Sequence, residues 1–216
     1  MRRVVLVFVF LISTNAGFAP SATAEAAAEV VEKVRLTTTL GVIEADLYPE
    51  RAPRTVANFL AYVDAGLYNN ASFYRVVRLD NQPASPVRIE VIQGGRGPAT
   101  YDPDTHPPFP PLVHETTRES GLSHVDGALS MARLAPGSAT SEFFICIGPQ
   151  PELDFGGARN PDGQGFAVFG QVTAGMEVVR AIQAGRTQGA APDYLRTIDG
   201  QMLTEPVVIE QVGRVE

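Results

Sequence analysis

The chain has no tryptophan, one cysteine (Cys146) and one lysine (Lys33). A single cysteine excludes an internal disulfide and any zinc site built from several thiolates. Basic side chains number 17 against 24 acidic ones, a net charge of −7. So acidic a chain lacks the positive field that gathers nucleic acid, and no nucleic-acid partner is expected. Glycine is only 20 of 216 residues and no heptad runs on, which excludes collagen-like and coiled-coil architectures. No apolar run reaches the ~20 residues that span a bilayer as a helix. The nucleophile-elbow pattern G-x-S-x-G, the phosphate-loop pattern G-x-x-x-x-G-K and the zinc pattern H-E-x-x-H are all missing.

What is present suffices for a packed domain. Hydrophobic residues make up 44% of the chain, and 17 prolines with 20 glycines demand many turns, hence strands rather than long helices. The N-terminus reads as a targeting segment. Arg2 and Arg3 precede an apolar run at 4–12, and Ala22-Thr23-Ala24 offers small residues for cleavage. Residues 1–24 are therefore expected to be a secretory signal peptide. No cysteine follows the run to carry a lipid, so no membrane anchor is expected after cleavage. The expected location is periplasmic or secreted, which suits a lone cysteine. Residues 25–33 read as a flexible lead-in and 34–216 as one domain.

Ile43, Ala45 and Leu47 alternate with Glu44, Asp46 and Tyr48, the period of a half-buried strand, with 34–39 as its hairpin partner across Gly41. Pro53 suits a first helical turn. Val56, Phe59, Leu60 and Val63 share one helix face, and Gly66 marks the stop. Further strands are expected at 72–77, 88–93, 128–133, 143–147, 166–172 and 206–212, with a second helix at 176–184. Residues 78–87 and 97–111 read as loops, and Asn160-Pro161-Asp162-Gly163 as a turn. The fold class is mainly β: a closed antiparallel barrel with helices on its ends.

Several residue groups invite chemistry and are better read as structure. Ser123-His124 beside Asp126 is triad material, but triads assemble in space rather than from sequence neighbours. Asp102, Asp104 and His106, with His114 and His124 beyond, lie in or near a proline-rich loop without metal-site spacing. Gly94-Gly95-x-Gly97 opens no periodic helix, and Cys146 sits inside an apolar strand where packing outweighs reactivity.

Two stretches are more specific. The first is Phe73-Tyr74-Arg75-Val76-Val77, followed by Val91-Ile92-Gln93-Gly94-Gly95. The second joins Gly127-Ala-Leu-Ser-Met-Ala-Arg133, Ser141-Glu-Phe-Phe-Ile-Cys146, Glu152-Leu153-Asp154 and Phe166-Ala-Val-Phe-Gly170. In this order they resemble the cyclophilin family of peptidyl-prolyl isomerases, from about residue 34 to 212. The resemblance implies an eight-stranded antiparallel barrel capped by two α-helices, acting on X–Pro bonds with no metal and no cofactor. It implies that Arg75 is catalytic and that Gln93 orients the substrate carbonyl and the arginine. Phe144 would floor a proline pocket with Leu153 beside it, while Ala132 and the backbone of Arg133 hold the substrate main chain. Val91 and Glu142 complete the substrate-binding set. The partners implied are proline-containing peptides and unfolded exported proteins.

The chain departs from the family at three acidic positions. Glu90 and Val91 stand where the family has Phe-Met, Glu142 where it has Gln, and Glu152 where it has an aromatic. Glu90 is expected to remove apolar wall from the pocket. Glu142 is expected to hold the Arg75 guanidinium and compete with substrate. Glu152 is expected to weaken cyclosporin-type ligands. Residues 78–87 are an insertion between Arg75 and Gln93, and 156–165 is also long. Arg75, Gln93 and Phe144 together point to an active isomerase. Glu90 and Glu142 point instead to a peptide-binding module or holdase with little catalysis.

Overall fold

A hairpin begins the barrel. In β1 (Glu32–Thr38) Val34, Leu36 and Thr38 are buried while Lys33 and Arg35 are exposed, as the two-residue period of a strand requires. Gly41, at φ +136°, opens β2 (Gly41–Leu47), and the two strands pair antiparallel from Glu32↔Leu47 to Thr38↔Gly41. The computed structural model describes residues 29–83, 85–98, 107–187, 191, 193 and 198–215. The expected signal peptide and the loop residues Asp102, Asp104 and His106 lie outside the described residues.

The other strands are β3 (Ala71–Val77), β4 (Val91–Gly95), β5 (Ala128–Met131), β6 (Phe143–Cys146), β7 (Ala167–Ala174) and β8 (Met202–Val215). All pairings are antiparallel, and the order β1-β2-β7-β5-β6-β4-β3-β8 closes on β1. Closure leaves no strand edge in the barrel. Helix α1 (Pro53–Asp64) packs on β7 and β8, and α3 (Met176–Gln183) packs on β2, β3 and β4. Phe59, Phe73, Phe143 and Phe169 are fully buried inside, each contributing about 1.5–3 kcal/mol through burial. Phe59 meets Phe143 edge-on with centroids 5.5 Å apart. Ala52 at the N-cap of α1 makes no side-chain cap bond. Glu115, 60 positions away, accepts from the Thr55 backbone N–H (2.9 Å) and hydroxyl (2.7 Å) instead, supplying the anion that a helix N-terminus favours.

The strand period divides the apolar residues into two clusters. Phe73, Ile92, Leu129, Met131, Phe143 and Ile145 belong to the inner core. Val77, Val91, Ala128, Phe144, Cys146 and Val168, their neighbours along the same strands, form a second cluster with Ile89, Ala132 and Leu153 on the outer face. Cys146 is fully buried there, and burial pushes its thiol well above the usual range; its role is packing.

The structure corrects the sequence reading at four places. β1 starts at Glu32, two residues before the expected domain boundary. β4 starts at Val91 rather than Arg88. The Gln82 side chain takes the Ile89 backbone, donating to its carbonyl (2.6 Å) and accepting from its N–H (3.3 Å), and so diverts these groups from the ladder. β4 instead runs on through Gly94, where a Cβ would lie 2.7 Å from the Phe73 ring. β8 starts at Met202 and passes Pro206. The β3–β8 register shifts between Phe73↔Val207 and Arg75↔Met202, so the proline lies in the irregular stretch of that ladder. A third helix, α2 (Thr117–Ser120), joins the two expected. It is one turn long, with a reciprocal Thr116–Glu119 capping box and Gly121 in the left-handed conformation.

The inserted loop is anchored at both ends. Arg78 donates through Nη1 to the carbonyls of Gln183 (2.8 Å) and Gly185 (2.9 Å) at the end of α3, where a cation complements the helix dipole. Among the described residues no helix is long and apolar enough to cross a membrane.

Candidate active site

Arg75 on β3 and Gln93 on β4 are direct partners in the ladder, so their side chains lie side by side. Arg75 Nη1 donates to Gln93 Oε1 at 2.6 Å. Its Nε (2.9 Å) and Nη2 (2.6 Å) both donate to Gln201 Oε1, just ahead of β8. Two amide oxygens thereby fix the plane of the guanidinium. Gln93 Nε2 donates to Tyr74 Oη (2.8 Å), and Tyr74 Oη donates to Glu142 Oε2 (2.8 Å). The relay has one direction. Tyr74 gives its only proton to a carboxylate, so it must accept from Gln93, which turns Gln93 Oε1 toward Arg75. Glu142 also accepts from the Ser141 hydroxyl (3.1 Å) and the Gly97 N–H (3.2 Å). A Cβ on Gly95 would lie 2.7 Å from this carboxylate, which accounts for a glycine there.

Beside the guanidinium is a cavity of about 180 Å³ lined by Arg75, Val91, Gln93, Ala132, Arg133, Phe144 and Leu153, together with Ile89, Arg159 and Phe166. Phe144 is held from both sides: it stacks on His124 (5.8 Å, 11°) and meets Phe166 edge-on (5.3 Å, 89°). The Arg133 side chain is locked against Asp162 by two 2.9 Å bonds and against the Gly165 carbonyl. The Arg133 guanidinium holds the Asp162 carboxyl down at about 2. A larger depression of about 500 Å³, lined by His114, Arg118 and Phe155 among others, contains none of the expected site residues.

His124, Asp154 and Ser130 do form a triad in space, though not the one suggested by Ser123 and Asp126. His124 Nδ1 lies 2.6 Å from Asp154 Oδ1 and Nε2 lies 3.0 Å from Ser130 Oγ. Ser130 is fully buried and His124 nearly so, leaving a nucleophile no approach to substrate. Burial pushes the His124 pKa down, against the pull of Asp154, and the neutral ring serves as the backing of Phe144. Neither His114 nor His124 joins a group of three metal-ligating side chains among the described residues.

Seven of the eight expected site residues line the cavity; Glu142 does not. It neither lines the pocket nor forms a described ion pair with Arg75, because Tyr74 and Gln93 stand between them. The expected competition with substrate is replaced by an anchoring role. Glu90 is also corrected. Its carboxylate accepts from Gln183 Nε2 (3.3 Å), away from the pocket, and Ile89 supplies apolar wall in its place. Glu152 is exposed and accepts from the Ala158 N–H (2.8 Å). Gln201 was missed because no motif marks it: it lies 126 positions from Arg75 and only the barrel brings them together. Tyr74 lies in the motif around Arg75, and its role emerges only from the fold.

A family model described as cyclophilin type peptidyl-prolyl cis-trans isomerase/CLD matches residues 33–214. Peptidyl-prolyl cis-trans isomerase A of Dickeya dadantii is 34% identical over 192 residues, 88% of this chain and 89% of that protein. Peptidyl-prolyl cis-trans isomerase cyp18 of Streptomyces antibioticus is 35% identical over 178 residues, 82% of this chain and 95% of its own length. In fold, the chain resembles a crystal structure of a Cryptosporidium parvum cyclophilin type peptidyl-prolyl cis-trans isomerase. The TM-score is 0.63 at 20% identity, covering 87% of this chain and 99% of that one.

The relay makes a prediction opposite in sign to competition. In Glu142→Gln an amide N–H₂ faces donors on one side, at a cost of about 1–3 kcal/mol for a buried group. The melting temperature should fall by several degrees, and kcat/KM on a proline peptide should fall severalfold as Gln93 loses its fixed orientation. A rise in kcat/KM would restore the competition account.

Proposed function

The chain belongs to the cyclophilin-type peptidyl-prolyl cis-trans isomerases, and from that premise we propose that it accelerates X–Pro rotation in exported proteins as they fold outside the cytoplasm. The observation that carries the catalytic reading is the Arg75–Gln93 pair fixed at the edge of a pocket floored by Phe144.

The chemistry follows from the peptide bond. Its partial double bond sets a barrier of about 18–20 kcal/mol, and X–Pro bonds are the ones that populate cis appreciably. Twisting the bond breaks resonance and returns a lone pair to the prolyl nitrogen. A fixed cation that donates to that nitrogen stabilises the twisted state more than the planar one, which is the condition for catalysis. Arg75 is suited to this because a guanidinium stays charged and its donors are rigidly placed. Phe144 and Leu153, with Val91 and Ile89, offer an apolar seat for the proline ring. Ala132 and Arg133 are proposed to hold the substrate main chain, and Gln93 to orient its carbonyl. With Glu90 and Glu142 both outside the pocket, the two residues that suggested a binding module with little catalysis no longer support it.

Export rests on the tripartite N-terminal pattern: Arg2 and Arg3, the apolar run at 4–12, and Ala22-Thr23-Ala24. Intact mass of the protein from its native cell should correspond to a chain beginning at Glu25. A full-length chain recovered from the cytoplasm would overturn this part of the proposal.

The catalytic part predicts a specific pattern. Arg75→Ala should lose on the order of 10²–10³ in kcat, about 3–4 kcal/mol, while affinity for a proline peptide falls much less. Arg75→Lys should recover little, because an ammonium lacks the planar fork. A protease-coupled isomerisation assay reads both, and equal rates for wild type and Arg75→Ala would overturn the assignment.

A further inference from the structure

The two long loops meet at one residue, Arg159, which also lines the proline pocket. Its backbone N–H donates to the Glu152 carbonyl (3.1 Å). Its Nη1 donates to Gln82 Oε1 (3.1 Å), Ser85 Oγ (2.6 Å) and the Val87 carbonyl. All three acceptors are uncharged, and Nε and Nη2 donate to no atom among the described residues. No carboxylate forms an ion pair with Arg159 there, whereas Arg133 in the same pocket is matched by Asp162. Among the described residues the cavity is lined by no Asp or Glu, in a chain whose net charge is −7. Desolvation alone acts on the Arg159 guanidinium and lowers its pKa. A half-buried cation with only neutral acceptors around it is an unfavourable arrangement that an incoming anion would relieve. The next residue, Asn160, lines the same cavity, and its Nδ2 is a buried donor with no hydrogen-bond partner.

Strand register orders the lining of the pocket. Ala132 N–H donates to the Glu142 carbonyl (2.8 Å), while Ile147 N–H donates to the Glu90 carbonyl (2.9 Å). Gln93 pairs with Phe144 between those two levels. Ala132 therefore marks one end of the site and Ile89, which is bonded to Gln82 next to Arg159, the other. Phe144 and Arg159 line one cavity of about 180 Å³, and an extended peptide advances about 3.3 Å per residue, which puts side chains within two residues of a proline seated over Phe144 in range of Arg159.

We infer that Arg159 is a specificity-determining residue that selects X–Pro segments carrying a carboxylate within two residues of the proline, on the side leaving toward Ile89. Asn160 would add a second donor to the same carboxylate, whose two oxygens can accept from both. The inference rests on the isomerase reading and adds the class of peptide preferred.

The test uses the full mature protein and peptides that carry Glu or Gln at each of the two positions before and after a single proline. Wild type should favour Glu over Gln by about fivefold to tenfold in kcat/KM on one side of the proline, and that ratio should shrink as salt is raised. The ratio should fall to about 1 in Arg159→Gln and be partly kept in Arg159→Lys. A ratio near 1 at every position in wild type, a ratio insensitive to salt, or a ratio unchanged in Arg159→Gln would each overturn the inference. Loss of the isomerase reading itself would look different: no Arg75-dependent turnover of the Gln peptides at all.

Discussion

A guanidinium can stabilise a twisted prolyl bond only if its plane is held while the substrate moves. Everything around Arg75 serves that constraint. Its nearest described partners are two amide oxygens, Gln93 Oε1 and Gln201 Oε1. A carboxylate in direct contact would form charge-assisted bonds roughly twice as strong and draw the cation away from substrate. The anion Glu142 is instead two side chains removed and acts through Tyr74 and Gln93. Orientation is transmitted along the relay from Glu142 to the guanidinium.

The barrel supplies the rigidity. Each strand at the site has one face in the core and the other in the site cluster, so Phe143 and Ile145 pack inside while Phe144 lies under the pocket. A shift of one residue in register would exchange these faces, which ties the position of Phe144 to the inner aromatic packing. The buried His124–Asp154–Ser130 unit extends this support behind the pocket floor. The two insertions add the remaining wall, because Gln82 holds Ile89 toward the cavity and Arg159 joins the loops.

Much of this was legible in the sequence, for physical reasons. The two-residue period in β2 and the helical spacing of Val56, Phe59, Leu60 and Val63 are local signals. Arg75, Gln93 and Phe144 stood in motifs that resemble a family. What could not be read depended on non-local contacts. Gln201 reaches Arg75 only through the β3–β8 pairing, and the glutamine-held Ile89 shifted the start of β4 and displaced Glu90 from the pocket. Glu142 was placed at the site, but its direction is set by Tyr74, Ser141 and Gly97. The Thr116–Glu119 capping box was readable, yet the helix it starts is one turn long and carries no apolar period.

Tyr74 and Gln93 act as one unit in holding Arg75, and a double-mutant cycle on kcat/KM tests this most directly. Tyr74→Phe and Gln93→Ala should each lower isomerisation of a proline peptide. The double variant should be little slower than Gln93→Ala alone, because Tyr74 has no route to Arg75 once Gln93 is gone. Losses that simply multiply in the double variant would show two independent effects and contradict the relay.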